Sequence, residues 1–168
     1  MSDGQPFFRF NPGAYSQGRS FFTSSQRNCE ACNLPCEWEY TGVIYAPTSP
    51  IVCARCIADG RLGALLGKGR FALHDIDISD AEPALAEEVL QRTPGVACFN
   101  PFSWPVLDAK PLAFMGYGGD EALIAIHAVR TVMEREFERF GWEFEPSPYV
   151  LIFKELDGDR YRAVIDLD

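Results

Sequence analysis

Cys29-Glu30-Ala31-Cys32, within NCEAC at residues 28–32, and Cys53-Ala54-Arg55-Cys56, within VCARC at residues 52–56, decide how this chain folds. Twenty residues separate the two Cys-x-x-Cys turns. A turn of this length aims two sulfurs at one ion about 2.3 Å away, and two such knuckles complete the tetrahedron that zinc accepts in closed structural sites. The spacing predicts one structural Zn2+ held by Cys29, Cys32, Cys53 and Cys56, with no position left for water. A tetrathiolate set outside any redox context favours zinc over iron. Cys36, four residues beyond Cys32, is either an alternative ligand or a small buried or partly exposed thiol. Cys98, alone in VACFNPF, reads as a core residue.

Outward from the knuckles, EWEYTGVIYAPTSPIV joins them with aromatic and β-branched residues around a turn at Pro47 to Pro50. Strands are expected at about residues 38–45 and 51–52, the layout of a zinc ribbon occupying about residues 25–60. A short helix, broken by glycines, is expected over about residues 54–66. A second begins near Ser79 or Asp80 with Pro83 in its first turn, carries Leu85, Val89 and Leu90 at helical spacing, and stops before Pro94. The longest amphipathic pattern spans about residues 120–140, with Leu123, Ile126, Met133, Phe137 and Phe140 on one face. YVLIFKELDGDRYRAVIDLD, residues 149–168, alternates on either side of Asp157-Gly158-Asp159 and predicts an antiparallel β-hairpin. Its packing is expected through Tyr149, Leu151, Ile152, Phe153, Tyr161, Val164 and Ile165. The expected fold is α+β: a zinc ribbon joined to a mixed region of two or three helices and this hairpin, all in one domain over residues 1–168.

With 168 residues, 47% of them hydrophobic and 13% aromatic, the chain can bury a core that offsets its conformational entropy. The formal charge of −9, from 24 acidic and 15 basic residues, excludes most nucleic-acid binding, which needs a basic face. A basic protein partner fits the balance better. Asp75, Asp77, Asp80, Glu82, Glu87 and Glu88 crowd one segment; they read as a solvated helix face or as the surface that meets such a partner. No stretch approaches the roughly 20 apolar residues of a membrane span, and MSDGQPFFRF lacks a secretory pattern, so a cytoplasmic location is expected.

Several segments together resemble the CbrC family of small bacterial proteins: FRFNP at residues 8–12, YTGVIY at 40–45, CARCIADG at 53–60, RTPG at 92–95, FMGYGG at 114–119 and the closing YRAVIDLD. The resemblance implies a zinc-binding protein without a known enzymatic activity and an association with tolerance to a colicin that attacks DNA. It also implies where a second set of cysteine and histidine ligands would stand in other members. Here those places hold Leu107, Asp108, Leu112, Glu155 and Gly158, so one zinc is expected and not two.

The resulting expectation is a non-enzymatic immunity or tolerance protein that binds an antibacterial toxin, of nuclease type. The alternative is a stress-related zinc-ribbon protein with another partner. A metalloenzyme is the weaker reading, because the thiolate site is closed and His74 and His127 fall in no zincin, deaminase or nucleophile motif.

Overall fold

A computed structural model of the chain describes residues 5–16, 20–99 and 101–166. Its elements run β1 (Phe22–Ser24), β2 (Trp38–Tyr40), α1 (Ala54–Ala58), α2 (Leu62–Leu66), β3 (Ile76–Asp77), α3 (Pro83–Arg92), β4 (Phe102–Ser103), β5 (Val106–Leu107), β6 (Lys110–Pro111), β7 (Ala113–Tyr117), α4 (Glu121–Ile124), α5 (His127–Phe140), β8 (Val150–Lys154) and β9 (Tyr161–Ile165). The class is α+β, and the C-terminal hairpin forms as β8–β9, with β7 on the other side of β8.

β8 is the centre of the body. Val150, Leu151, Ile152 and Phe153 are all fully buried, which a strand achieves only when both faces of its sheet are covered. Leu151 and Phe153 pack with Phe10, Trp104, Leu112 and Phe114 on one face, while Val150 and Ile152 meet Val129, Met133 and Phe137 of α5 on the other. Tyr149, expected inside, lies before the strand begins and is exposed, with its ring 5.2 Å from that of Phe99.

The pattern over residues 120–140 resolves into two helices. Asp120 caps α4 by accepting from the backbone N–H groups of Ala122 and Leu123, and the chain turns at Ile126 before α5 starts. The buried stripe of α5 is Val129, Met133 and Phe137, spaced by four. Ile126 and Phe140, expected on the inner face, are exposed; Phe140 instead stacks on Trp142 at 5.2 Å. The helix expected over residues 54–66 splits at Gly60, whose φ of +73° leaves the helical region, into α1 and α2. α3 starts at Pro83 with Glu82 as its N-cap, a few residues later than Ser79 or Asp80, and ends at Arg92 before Pro94.

A third cluster forms the N-terminal lobe, where Phe8, Phe22, Tyr40, Val52, Ile57 and Leu62 pack around the cysteines. Between lobe and body lies His74, buried, with Nε2 3.0 Å from the Thr93 carbonyl oxygen and its ring edge-on to Trp104. Burial pushes its pKa down to about 4, against the opposing pull of that carbonyl. The folded protein thus stays neutral at His74 where the unfolded chain, with a pKa near 6.5, takes a proton. Stability from this source is complete above about pH 6.5 and falls as the pH drops from there towards about 4. In urea titrations the loss on going from about pH 7 to about pH 4.5 is expected to be smaller by about 2 kcal/mol for His74→Gln than for the native chain. Equal losses would show that His74 titrates normally.

Gly118 marks the contact between α5 and the sheet. A Cβ there would stand 2.5 Å from Met133 Cε and 2.9 Å from Val150 Cβ, and the second atom cannot swing away. Gly118→Ala is expected to cost about 1–3 kcal/mol in urea unfolding; an unchanged midpoint would mean that α5 does not press on β8 at this point.

Candidate metal centre

The ligand atoms of Cys29, Cys32, Cys53 and Cys56 lie within 4.8 Å of one another. A tetrahedral tetrathiolate site with bonds of about 2.3 Å places its sulfurs about 3.8 Å apart, so the cluster closes onto an ion with only small adjustments. Cys29, Cys53 and Cys56 are buried and Cys32 is half-buried. All four sulfurs can be consumed in holding the ion.

The two knuckles are built differently. The first is the tip of the β1–β2 hairpin: Phe22 pairs with Tyr40, Ser24 with Trp38, and beyond the strands Asn28 bridges to Pro35. Asn33 takes a left-handed φ of 59° as the loop turns back, with its N–H on the Cys29 carbonyl at 2.7 Å. The second knuckle is the junction of an extended segment and a helix. Cys53 bridges to Glu39 and is the N-cap of α1, and Cys56 sits one turn into that helix. The ribbon expected between the knuckles is therefore only partly present. Its first strand stops at Tyr40 and pairs backwards with β1, upstream of the first knuckle; residues 51–52 reduce to an approach to the bridge at Cys53. Tyr45 leaves for a bridge with Ala72 instead, beyond the break at Thr41-Gly42 and before the prolines.

Backbone N–H groups converge on the sulfurs. The Cys53 N–H donates to Cys29 Sγ at 3.4 Å. Burial alone pushes the Cys29 thiol up, but donation from the Cys53, Ala31 and Cys32 backbones outweighs it and leaves the thiol below its ordinary value. Cys53 and Cys56 are pushed up by burial, Cys56 also by the neighbouring thiols. A sulfur that ionises readily at Cys29 beside two that resist it at Cys53 and Cys56 is a pattern whose negative charge a bound cation would offset.

Glu30 and Glu39 hold the two knuckles in register, and sequence reading gave no sign of either role. Glu30 accepts the Ile51 N–H on Oε1 at 2.8 Å, while its own N–H donates to the Ile51 carbonyl at 2.8 Å. Glu39, buried on β2, takes the Arg27 guanidinium in a two-pronged pair. Cys36 is fully buried beside Cys29 but stands outside the four-sulfur cluster, and burial pushes its thiol up to about 12. Cys98, expected in the core, is exposed instead, because the segment after Gly95 runs along the surface.

The six acidic residues of the candidate partner surface differ in what each one meets. Glu88 is paired with Arg9 at 2.6 Å and Glu87 with Lys68 at 2.9 Å. Asp77 accepts the Ser79 N–H, Glu82 begins α3, Asp80 is exposed, and Asp75 lies at the mouth of a cavity. Of the positions where the CbrC resemblance places further ligands, Leu112 is buried in the body. Asp108 and Glu155, in two separate turns, are joined by Arg160 at 2.9 and 2.5 Å.

The family model described as an uncharacterised protein family, UPF0167, matches residues 5–149. The chain belongs to the UPF0167 family. It is 30% identical over 149 residues to a UPF0167 protein of Pseudomonas aeruginosa, covering 84% of this chain and 79% of that protein. It is 27% identical over 143 residues to UPF0167 proteins of Mycobacterium bovis and Mycobacterium tuberculosis, covering 82% of this chain and 73% of each. No solved structure matches the chain. Among the described residues no helix is long and apolar enough to cross a membrane.

The geometry predicts one ion per chain, lost on ligand removal. Elemental analysis of the native protein and of Cys29→Ser plus Cys56→Ser should show one equivalent falling to near none, with early melting of the lobe. A retained equivalent would place the ion elsewhere.

Proposed function

We propose that this UPF0167 member is a non-enzymatic binding protein whose N-terminal lobe is held by one structural zinc. The observation behind this reading is the closed tetrathiolate cluster: every ligand is protein sulfur, and the sulfurs are packed inside the lobe's own apolar core. Catalytic zinc keeps an open position, and this arrangement offers none. Among the described residues, no other group of three or more histidine, cysteine or carboxylate ligands comes close enough to hold a metal. The cysteines are free, which suits a reducing compartment and supports a cytoplasmic location.

The segments that resemble CbrC from FRFNP to FMGYGG all fall inside the stretch matched by UPF0167, which supports reading the two as one family. With a formal charge of −9, the partner is a basic protein, and the resemblance points to an antibacterial toxin domain. The test is to mix the zinc-loaded protein with candidate toxins encoded beside its gene and to follow complex formation and toxin activity. A complex should form, neutralise the toxin and weaken by about tenfold between low and high salt. A full set of neighbouring toxins that neither binds nor loses activity sinks the immunity reading.

A further inference from the structure

A cavity of about 270 Å³ separates the lobe from the body, and the metal does not account for it. Phe21, Tyr40 and Tyr45 of the lobe form one wall, and Phe99 and Phe102 contribute to the other. His74 lines it from below and is only 6% exposed. Because a carbonyl oxygen can only accept, the contact with Thr93 fixes the imidazole proton on Nε2 and leaves the lone pair on Nδ1. Nδ1 has no partner among the described residues, yet no sealed side-chain nitrogen or oxygen lacks one. His74 lines the cavity, so Nδ1 is the acceptor this residue can present to a ligand there.

Asp75 stands next to His74 at the mouth, exposed and without an ion pair among the described residues. Among the described residues, no lysine or arginine lines the cavity. Cys98 also borders it; although the residue is exposed, partial desolvation of its sulfur at the cavity edge and then the carboxylates of Asp166 and Asp75 push its thiol up to about 11, which favours the protonated form. The cavity thus offers aromatic walls, one carboxylate and one deeply set acceptor.

We propose that this cavity binds a guanidinium or primary ammonium group, with Asp75 as counter-charge, the aromatic side chains around the cation and His74 Nδ1 accepting one of its N–H groups. Each feature narrows the ligand. Asp75 and the overall charge disfavour an anion, a quaternary ammonium has no N–H for Nδ1, and a neutral amide gains nothing from Asp75. A planar guanidinium meets all three demands and stacks on aromatic rings. The group can arrive on a free small molecule or on an arginine or lysine of a protein partner. The inference rests on reading the protein as a binding protein, and it does not involve the metal ligands.

The test is amide chemical-shift titration of the zinc-loaded full chain with agmatine, a free guanidine, with N-acetyl-arginine amide, a peptide-like one, and with N-acetyl-citrulline amide, the neutral isostere of the second. Both cations should give saturable shifts at Asp75, Phe99 and Tyr45, with citrulline at least about tenfold weaker. Asp75→Asn, a surface change that leaves melting unaltered, should weaken both cations by about tenfold. Tighter agmatine assigns a free ligand, and tighter arginine amide assigns a partner's side chain. Shifts that never saturate, citrulline binding as tightly as arginine amide, or an unchanged affinity in Asp75→Asn would each overturn the proposal. Zinc content is measured on the same samples. Binding absent with zinc present overturns this proposal alone, and zinc absent from a protein that still binds overturns the structural-zinc reading alone.

Discussion

Four cysteine sulfurs brought within 4.8 Å of one another are the constraint on which the lobe depends. Its regular elements are two three-residue strands and two five-residue helices, each too short to persist alone in water. Cross-linking residues as far apart as Cys29 and Cys56 through one ion closes a loop whose entropy these fragments could not recover by hydrogen bonding. The N–H groups aimed at Cys29 and the Glu30 bonds to Ile51 act in the same direction, because they orient the knuckles before any charge on sulfur must be offset. An ion held by these four sulfurs would take the place of a longer sheet in this lobe.

The lobe is tied to the body through residues 92–95. Arg92 Nε donates to the Ala58 carbonyl at the end of α1, and its side chain passes 3.4 Å from where a Cβ on Gly60 would stand. The Thr93 carbonyl accepts from His74, the Pro94 carbonyl accepts from Asn11, and the Gly95 N–H donates to the Tyr40 hydroxyl. Gly95 has no room for a side chain, since a Cβ would stand 2.9 Å from both the Leu73 carbonyl and the Tyr40 hydroxyl. FRFNP, YTGVIY, CARCIADG and RTPG are scattered in sequence, yet each supplies one end of these bonds. Their joint presence has a plain physical account: they form a clasp.

This explains what could and could not be read in advance. Cys29, Cys32, Cys53 and Cys56 were legible because metal geometry fixes local spacing, and the β8–β9 hairpin and α3 were legible because period and proline placement are local too. The ribbon's first strand, expected over residues 38–45, stops at Tyr40 because Tyr45 finds Ala72, a partner no local pattern announces. Ile126 and Phe140 were misplaced because the break before α5 rotates the face that the spacing implied. Cys98 was placed inside on residue type alone, although the surface path of its segment decides its exposure. Glu30, Glu39 and Arg27 carry no local pattern, because the Glu30 bonds exist only once the two knuckles meet and the Arg27–Glu39 pair only once the β1–β2 hairpin closes.

The clasp and the cavity share residues, and that overlap links the metal to whatever the cavity holds. Tyr40 is in β2, its N–H is on the Val52 carbonyl one residue before a ligand cysteine, its hydroxyl is on Gly95, and its ring lines the cavity. If the ion leaves, β2 loses its anchor at Cys53 and the wall formed by Phe21, Tyr40 and Tyr45 loses its fixed distance from Phe99. A ligand that spans the cavity favours the same closed arrangement that the ion favours. By linkage, an ion in the cluster and a ligand in the cavity would each raise the affinity of the other, with no contact between them. A closed metal site can in this way govern binding without ever touching the bound group.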